Sequence, residues 1–133
     1  MLVAQWNANG LQQHKEEVKL FLKQNLIDML LISETHFTNK NHYTIPGYDL
    51  CYTCHPDETA HGGTATIIKN TLEYYGRPKY AEATIQATSV TVPGLFYKIT
   101  IAAVYCPPRH NQNILKHSSK ISALDSWQGG FQQ

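Results

Sequence analysis

Residues 2–34 read LVAQWNANGLQQHKEEVKLFLKQNLIDMLLISE, and this stretch decides the fold. Leu2 to Trp6 is a short apolar run closed by Asn7-Ala8-Asn9-Gly10, which predicts a buried strand leaving into a turn. From Gln13 to Gln24 the residues Val18, Phe21, Leu22 and then Leu26 recur at helical spacing, with Lys15, Glu16, Lys19 and Lys23 among the polar positions, so an amphipathic helix covering a sheet is expected. Asp28 to Glu34 then holds the continuous apolar run Met29-Leu30-Leu31-Ile32, the signature of a strand buried on both faces. Strand, helix and strand compose a βαβ unit, whose strands run parallel because the helix returns the chain to the end it started from. Glu34 thereby falls at the carboxyl end of the second strand.

Outward from this unit, residues 35–61 are rich in turn formers, hydroxyls and imidazoles, with Asn39, Asn41, Pro46-Gly47 and Pro56-Asp57 marking the turns. A long loop with one short strand near Tyr48 to Tyr52 is expected, and loops of that length often carry function. After His61-Gly62-Gly63, the segments Thr64 to Lys69, Thr84 to Val92 and Phe96 to Tyr105 are rich in β-branched and aromatic residues and read as a meander of strands. Alternation is weak in Ile85 to Thr91, so the buried face of that strand is open at this level. Beyond Pro107-Pro108 the text turns polar and aperiodic, which divides the chain into a folded region 1–110 and a divergent, poorly structured tail 111–133, with no internal repeat.

The 133 residues amount to one domain, 42% hydrophobic and only 16% charged, which excludes disorder along the whole length. Eleven basic against ten acidic residues leave a net charge of +1, so no broad basic field announces a nucleic acid or membrane, and contact with DNA must rest on a local site. The three cysteines cannot all pair, and no secretory leader or stretch of membrane-spanning length is seen. An intracellular setting, nuclear or cytoplasmic, without membrane attachment, is the expectation.

Three constellations bear chemistry. The first is Asn7, Asn9, Glu34 and Tyr105, polar groups at or just past the ends of apolar strands, where open α/β sheets bind ligands. A carboxylate among amide oxygens suits a hard cation such as Mg²⁺; the plainer reading is two turn asparagines, a solvated acid and a core tyrosine. The second is Cys51-x-x-Cys54 with His42, His55 or His61 as zinc ligands, a poor match to common spacings and set against two small packed cysteines. A thioredoxin-like reading is weaker, because the pair does not open a helix. The third, His61-Gly62-Gly63, has the form of an esterase oxyanion loop, but no Gly-x-Ser-x-Gly elbow accompanies it, and a tight turn into the next strand explains it better.

Four strings in order, Trp6-Asn7-Ala8-Asn9-Gly10-Leu11, Leu31-Ile32-Ser33-Glu34-Thr35-His36, His61-Gly62-Gly63-Thr64-Ala65 and Val104-Tyr105-Cys106-Pro107-Pro108, resemble the endonuclease/exonuclease/phosphatase superfamily. More narrowly they are similar to the N-terminal, apurinic-endonuclease-like domain of jockey-like non-LTR retrotransposons. The resemblance spans residues 2–108 and implies an α/β fold, a four-layer α/β sandwich left incomplete here, with the βαβ start followed by strands and the active site at one rim. It implies Glu34 as metal ligand for Mg²⁺ or Mn²⁺, with Asn9 where many relatives carry aspartate. It further implies Asn7 ordering the phosphate and metal site, Tyr105 beside the scissile phosphate, and His36 and Arg109 on the substrate side. Relatives nick target DNA and carry a reverse transcriptase domain in the full-length product.

The departures from the family matter as much. The downstream Asp-x-Asn motif and the late Asp-His pair of a full site are absent from the 133 residues. Without oriented attack and acid–base help, each worth factors of about 10²–10⁴, the isolated chain is expected to be inactive. Two rivals follow: a superfamily phosphatase acting on another phosphate ester, and a non-catalytic remnant or DNA-binding scaffold with Lys40, Lys69, Arg77 and Arg109 as phosphate partners.

Overall fold

The opening unit forms as its sequence dictates. Strand β1 (Val3–Asn7) and strand β2 (Met29–Ser33) pair in parallel, Val3 beside Met29 through Asn7 beside Ser33. Between them a single 3₁₀ turn, Gln12–His14, runs into helix α1 (Lys15–Gln24), shorter at its start than the periodicity suggests. Val18 and Leu22 of α1 are buried and Phe21 is half-buried. Leu26, expected on the same stripe, is instead 73% exposed: the chain leaves the helix at Asn25, φ turns positive at Leu26, and Ile27 takes the buried place. The computed structural model describes residues 1–108 and the backbone of 122–124.

Strand β3 (Tyr48–Thr53) and strand β4 (Thr64–Lys69) complete a first sheet with β1, β2 and the short β9 (Ser122–Leu124), in the order β3-β4-β2-β1-β9. β4 runs antiparallel to both β2 and β3, and β9 antiparallel to β1. The second sheet holds β5 (Tyr75–Gly76), β6 (Tyr80–Glu82), β7 (Ile85–Pro93) and β8 (Lys98–Tyr105). β7 and β8 form a long hairpin, while β5 and β6 pair with successive parts of β7.

The expected meander therefore divides: Thr64 to Lys69 belongs to the first sheet and the other two segments to the second. The reason lies in β4, whose residues 64–68 are all buried, a pattern for a strand covered on both faces rather than one with a wet side. The face left open in β7 is settled as Gln86, Thr88 and Val90 inward.

These elements stack as helix, sheet and sheet. On one face of the first sheet Ala4, Leu30, Ile32, Ala65 and Ile67 meet Leu11, Val18 and Leu22 of the helical connection and Phe37, Tyr43 and Ile45 of the long loop. On the other, Val3, Met29, Leu31 and Ile68 meet Val90, Ile101 and Ala103 of the second sheet. The outer face of β8 is wet, with Val104 half exposed, and the tip of its hairpin presents Leu95 and Phe96 to solvent. Among the described residues, no helix is long and apolar enough to cross a membrane.

Candidate active site

At the carboxyl ends of β1 and β2 the backbone continues its pairing past the strands. Ala8 N donates to Ser33 O (2.9 Å), Gly10 N to Glu34 O (2.8 Å) and Leu11 N to Thr35 O (2.9 Å). From the other side, Glu34 N donates to Gly63 O (2.8 Å) and His36 N to Gly62 O (2.9 Å). Three loops are thus laced into one rim. Within it Glu34 (φ 59°) and His36 (φ 58°) both adopt the left-handed region, while Thr35 between them is buried. Glu34 and His36, on either side of Thr35, both face the open cavity.

Glu34, His36 and Tyr105 line one cavity of about 330 Å³, together with His55, His61, Gly62, Ala83 and Pro107. The Glu34 side chain is 21% exposed, and its Oε1 lies 3.9 Å from His36 Nε2. Burial first, then the neighbouring Glu34 carboxylate, pushes the Tyr105 phenol well above its ordinary range. Tyr105 therefore stays a hydrogen-bond donor throughout the physiological range, the form suited to an anionic oxygen. A single carboxylate at an open cavity fits Mg²⁺, which commonly takes one or two carboxylates and keeps its remaining positions for water and phosphate.

The cavity floor is built by glycines and hydroxyls. Gly62 and Gly63 have φ of 60° and 87°, and a Cβ would stand 2.7 Å from Gln86 Oε1 at the first and 2.6 Å from Thr35 Oγ1 at the second. Gly63 N donates to Gln86 Oε1 (3.0 Å), whose amide nitrogen donates to Glu82 O (2.6 Å). Behind them the Thr88 hydroxyl lies 2.8 Å from the hydroxyls of both Thr53 and Thr64. The oxyanion-loop reading of His61-Gly62-Gly63 gives way to this packing.

The other sequence candidates scatter. Asn7 stands at the end of β1, half-buried, but its Oδ1 accepts from Asn9 N (3.1 Å) and holds its own turn. Asn9 is exposed at φ 47°, and neither asparagine lines the cavity. Arg109 lies outside the described residues, as does most of the proposed tail. Lys69 pairs with Asp28 (3.4 Å), whereas Lys40 and Arg77 are exposed. Cys51 and Cys54 are three residues apart across the end of β3; Cys51 packs between the sheets and Cys54 against the opposite, helix-side core, so they cannot share a zinc ion. Burial pushes both thiols up, away from the thiolate form that metals bind.

Sequence reasoning missed the grouping of His55, Asp57 and His61, whose ligand atoms all lie within 4.8 Å of one another. The available signal was the turn Pro56-Asp57-Glu58-Thr59, which folds the two histidines toward one another.

A helix laid on two packed β-sheets, with polar groups gathered at the strand ends of one rim, defines the endonuclease/exonuclease/phosphatase class of fold. The AP endonuclease of Leishmania major superposes with a TM-score of 0.64 at 16% identity, over 78% of this chain and 39% of that one. The endonuclease domain of TRAS1, a telomere-specific non-LTR retrotransposon, does so at 0.60 and 16% identity, over 82% and 46%. No protein-family model matches the chain. In sequence, the chain is 33% identical over 119 residues to the RNA-directed DNA polymerase of the mobile element jockey of Drosophila melanogaster. The match takes in 90% of this chain but only 13% of that relative. The chain is thus similar in sequence to a short part of the jockey RNA-directed DNA polymerase, and it has the AP-endonuclease-like fold.

Proposed function

We propose that the chain carries the metal-binding part of a Mg²⁺-dependent DNA endonuclease site, one that works only when joined to the rest of the domain. The observation carrying this reading is the meeting of Glu34, His36 and Tyr105 around one cavity at the rim, in a chain similar to jockey. Glu34 would hold the ion and Mn²⁺ would substitute, while Asn9, off the cavity, is left without a ligand role. When bound, the ion contributes stabilisation of negative charge developing on a phosphodiester. Tyr105, kept protonated by its surroundings, donates to a phosphate oxygen. His36 contacts the substrate from the same wall, Arg109 serves as a phosphate partner, and Asn7 orders the turn that frames the site.

The partner is DNA, contacted weakly by this chain alone, and a reverse transcriptase domain belongs to the longer relative. The setting is intracellular, nuclear or cytoplasmic, without membrane attachment. Since the sequence contains no Asp-x-Asn motif and no Asp-His pair, the chain by itself lacks the groups that orient attack and assist the leaving oxygen.

Nicking of supercoiled plasmid in Mg²⁺ tests both parts. The chain alone is expected to give no nicking above that of Glu34→Ala. Joined to a downstream half from a jockey-like relative, it is expected to nick, with Glu34→Ala lowering the rate by about 10² or more. Glu34-dependent nicking by the chain alone overturns the inactivity, and silence of a cooperatively folded joined form overturns the nuclease reading.

A further inference from the structure

The loop between β3 and β4 carries a cluster that the nuclease reading does not use. His61 Nε2 lies 2.8 Å from Asp57 Oδ2, and His55 Nδ1 lies 3.0 Å from Asp57 Oδ1. The two imidazoles stack at 4.0 Å between centroids. His55 is buried at 8% exposure, whereas Asp57 and His61 are open to solvent.

Hydrogen bonds pre-set the cluster and leave one part of it unresolved. Asp57 Oδ1 already accepts from Thr59 N and Thr59 Oγ1, both at 2.9 Å, and the Thr59 backbone bond, then the contact with His61, hold the carboxyl well below its usual range. His55 Nδ1 lies within hydrogen-bond reach of both the Asp57 backbone N–H (3.1 Å) and Asp57 Oδ1 (3.0 Å), and its single in-plane position serves one of them at a time. When Nδ1 carries a proton it donates to Oδ1; when it does not, the nitrogen and the carboxylate oxygen are two acceptors that a cation can draw together.

A cation meets that need with the ligands present. Two imidazoles and one carboxylate suit a divalent transition ion, unlike the all-oxygen surroundings preferred by Mg²⁺. An ion bound at about 2.0–2.2 Å sets neighbouring ligand atoms roughly 3–3.5 Å apart. The His–Asp distances of 3.0 and 2.8 Å run to the two different oxygens of Asp57, and with one ligand atom taken from each residue all three lie within 4.8 Å of one another. His55 and His61 also line the cavity shared with Glu34 and Tyr105, so an ion here brings charge to the rim without using Glu34.

We propose that His55, Asp57 and His61 form a binding site for a divalent transition-metal ion of the Zn²⁺ class, separate from Glu34. Its effect would be to fix the β3–β4 loop and make the cavity attractive to phosphate.

The test is titration of the metal-stripped full chain with Co²⁺, followed by visible absorption and displacement with Zn²⁺. One equivalent is expected to give the visible band of nitrogen-ligated Co²⁺, to which an ion at the oxygen ligand Glu34 contributes little. His61→Ala and Asp57→Asn, both at exposed positions where folding can be checked by circular dichroism, are expected to weaken binding at least about 10-fold. Glu34→Gln and Cys54→Ser are expected to leave it unchanged. Absence of a Co²⁺ band in the folded chain overturns the proposal. So do full affinity in folded His61→Ala, loss of binding in Glu34→Gln, and a thiolate charge-transfer band that disappears in Cys54→Ser.

Discussion

The first sheet is covered on both faces, yet its two coverings are made of different material. Toward the helix it meets a mainly apolar set, with Leu11, Leu22, Leu30, Ile32, Phe37 and Ile67 essentially sealed from water and the phenols of Tyr43 and Tyr48 as polar exceptions. Toward the second sheet, the half nearest the rim is polar: Thr53, Thr64, Thr66, Thr88 and Gln86 are buried and exchange hydrogen bonds. An apolar filling resists deletion in proportion to volume, whereas a polar filling holds only while each member keeps its partner. The polar half lies directly behind Gly62 and Gly63, so directional bonds are concentrated where the cavity wall must keep its shape.

Deletion on the helix face is the largest perturbation. Phe37 is fully buried, with ring centroids 5.3 Å from Tyr52 and 5.5 Å from Tyr43. Phe37→Ala is expected to cost about 3–5 kcal/mol in urea unfolding. A smaller loss than any change in the polar half would reverse the comparison.

Gly63→Ala strikes the wall between the two. With φ of 87° and a Cβ placed 2.6 Å from Thr35 Oγ1 and 3.1 Å from Thr53 O, it has no soft direction in which to yield. A loss of about 1–3 kcal/mol is expected from the backbone alone, read as a lowered Tm, and an unchanged Tm would show that the floor is looser than described.

Within the polar half, Thr88 and Thr66 form the finest contrast. Thr88→Val strips the hydroxyl shared by Thr53 and Thr64 and is expected to cost about 1–3 kcal/mol. Thr66 makes one bond of 3.4 Å, to Thr88 O, so Thr66→Val is expected to stay within roughly 1 kcal/mol. Equal losses in chemical denaturation would mean that the hydroxyls do not act as a network.

Much of this was legible before any coordinates. The βαβ start could be read because β2 is an uninterrupted apolar run and α1 has a one-sided stripe, both local patterns. β4 was readable as a strand, but its sheet was not, since pairing partners are a long-range matter that local composition does not encode. β5 and β6 went unseen because they are two and three residues long with every residue exposed, which leaves no hydrophobic period to find. At the rim, Glu34 and Tyr105 were identified through strand ends and the family resemblance. His55, Asp57 and His61 were not grouped, because their meeting depends on a turn whose geometry only the fold reveals. The inward face of β7 was obscured for a related reason: the residues lining it, Gln86 and Thr88, are polar, so the buried side carries no apolar signal.

The left-handed backbone at Glu34 and His36 has a consequence for how this rim would drift if nothing preserved it. Each non-glycine residue in that conformation costs on the order of 1 kcal/mol, which glycine would not incur. Glycine at either position would relieve that backbone cost, offset in part by the greater freedom it gives the unfolded chain, while losing the groups that face the cavity. The backbone cost at this rim thus falls on the residues whose side chains face the cavity, where strain is stored next to the chemistry.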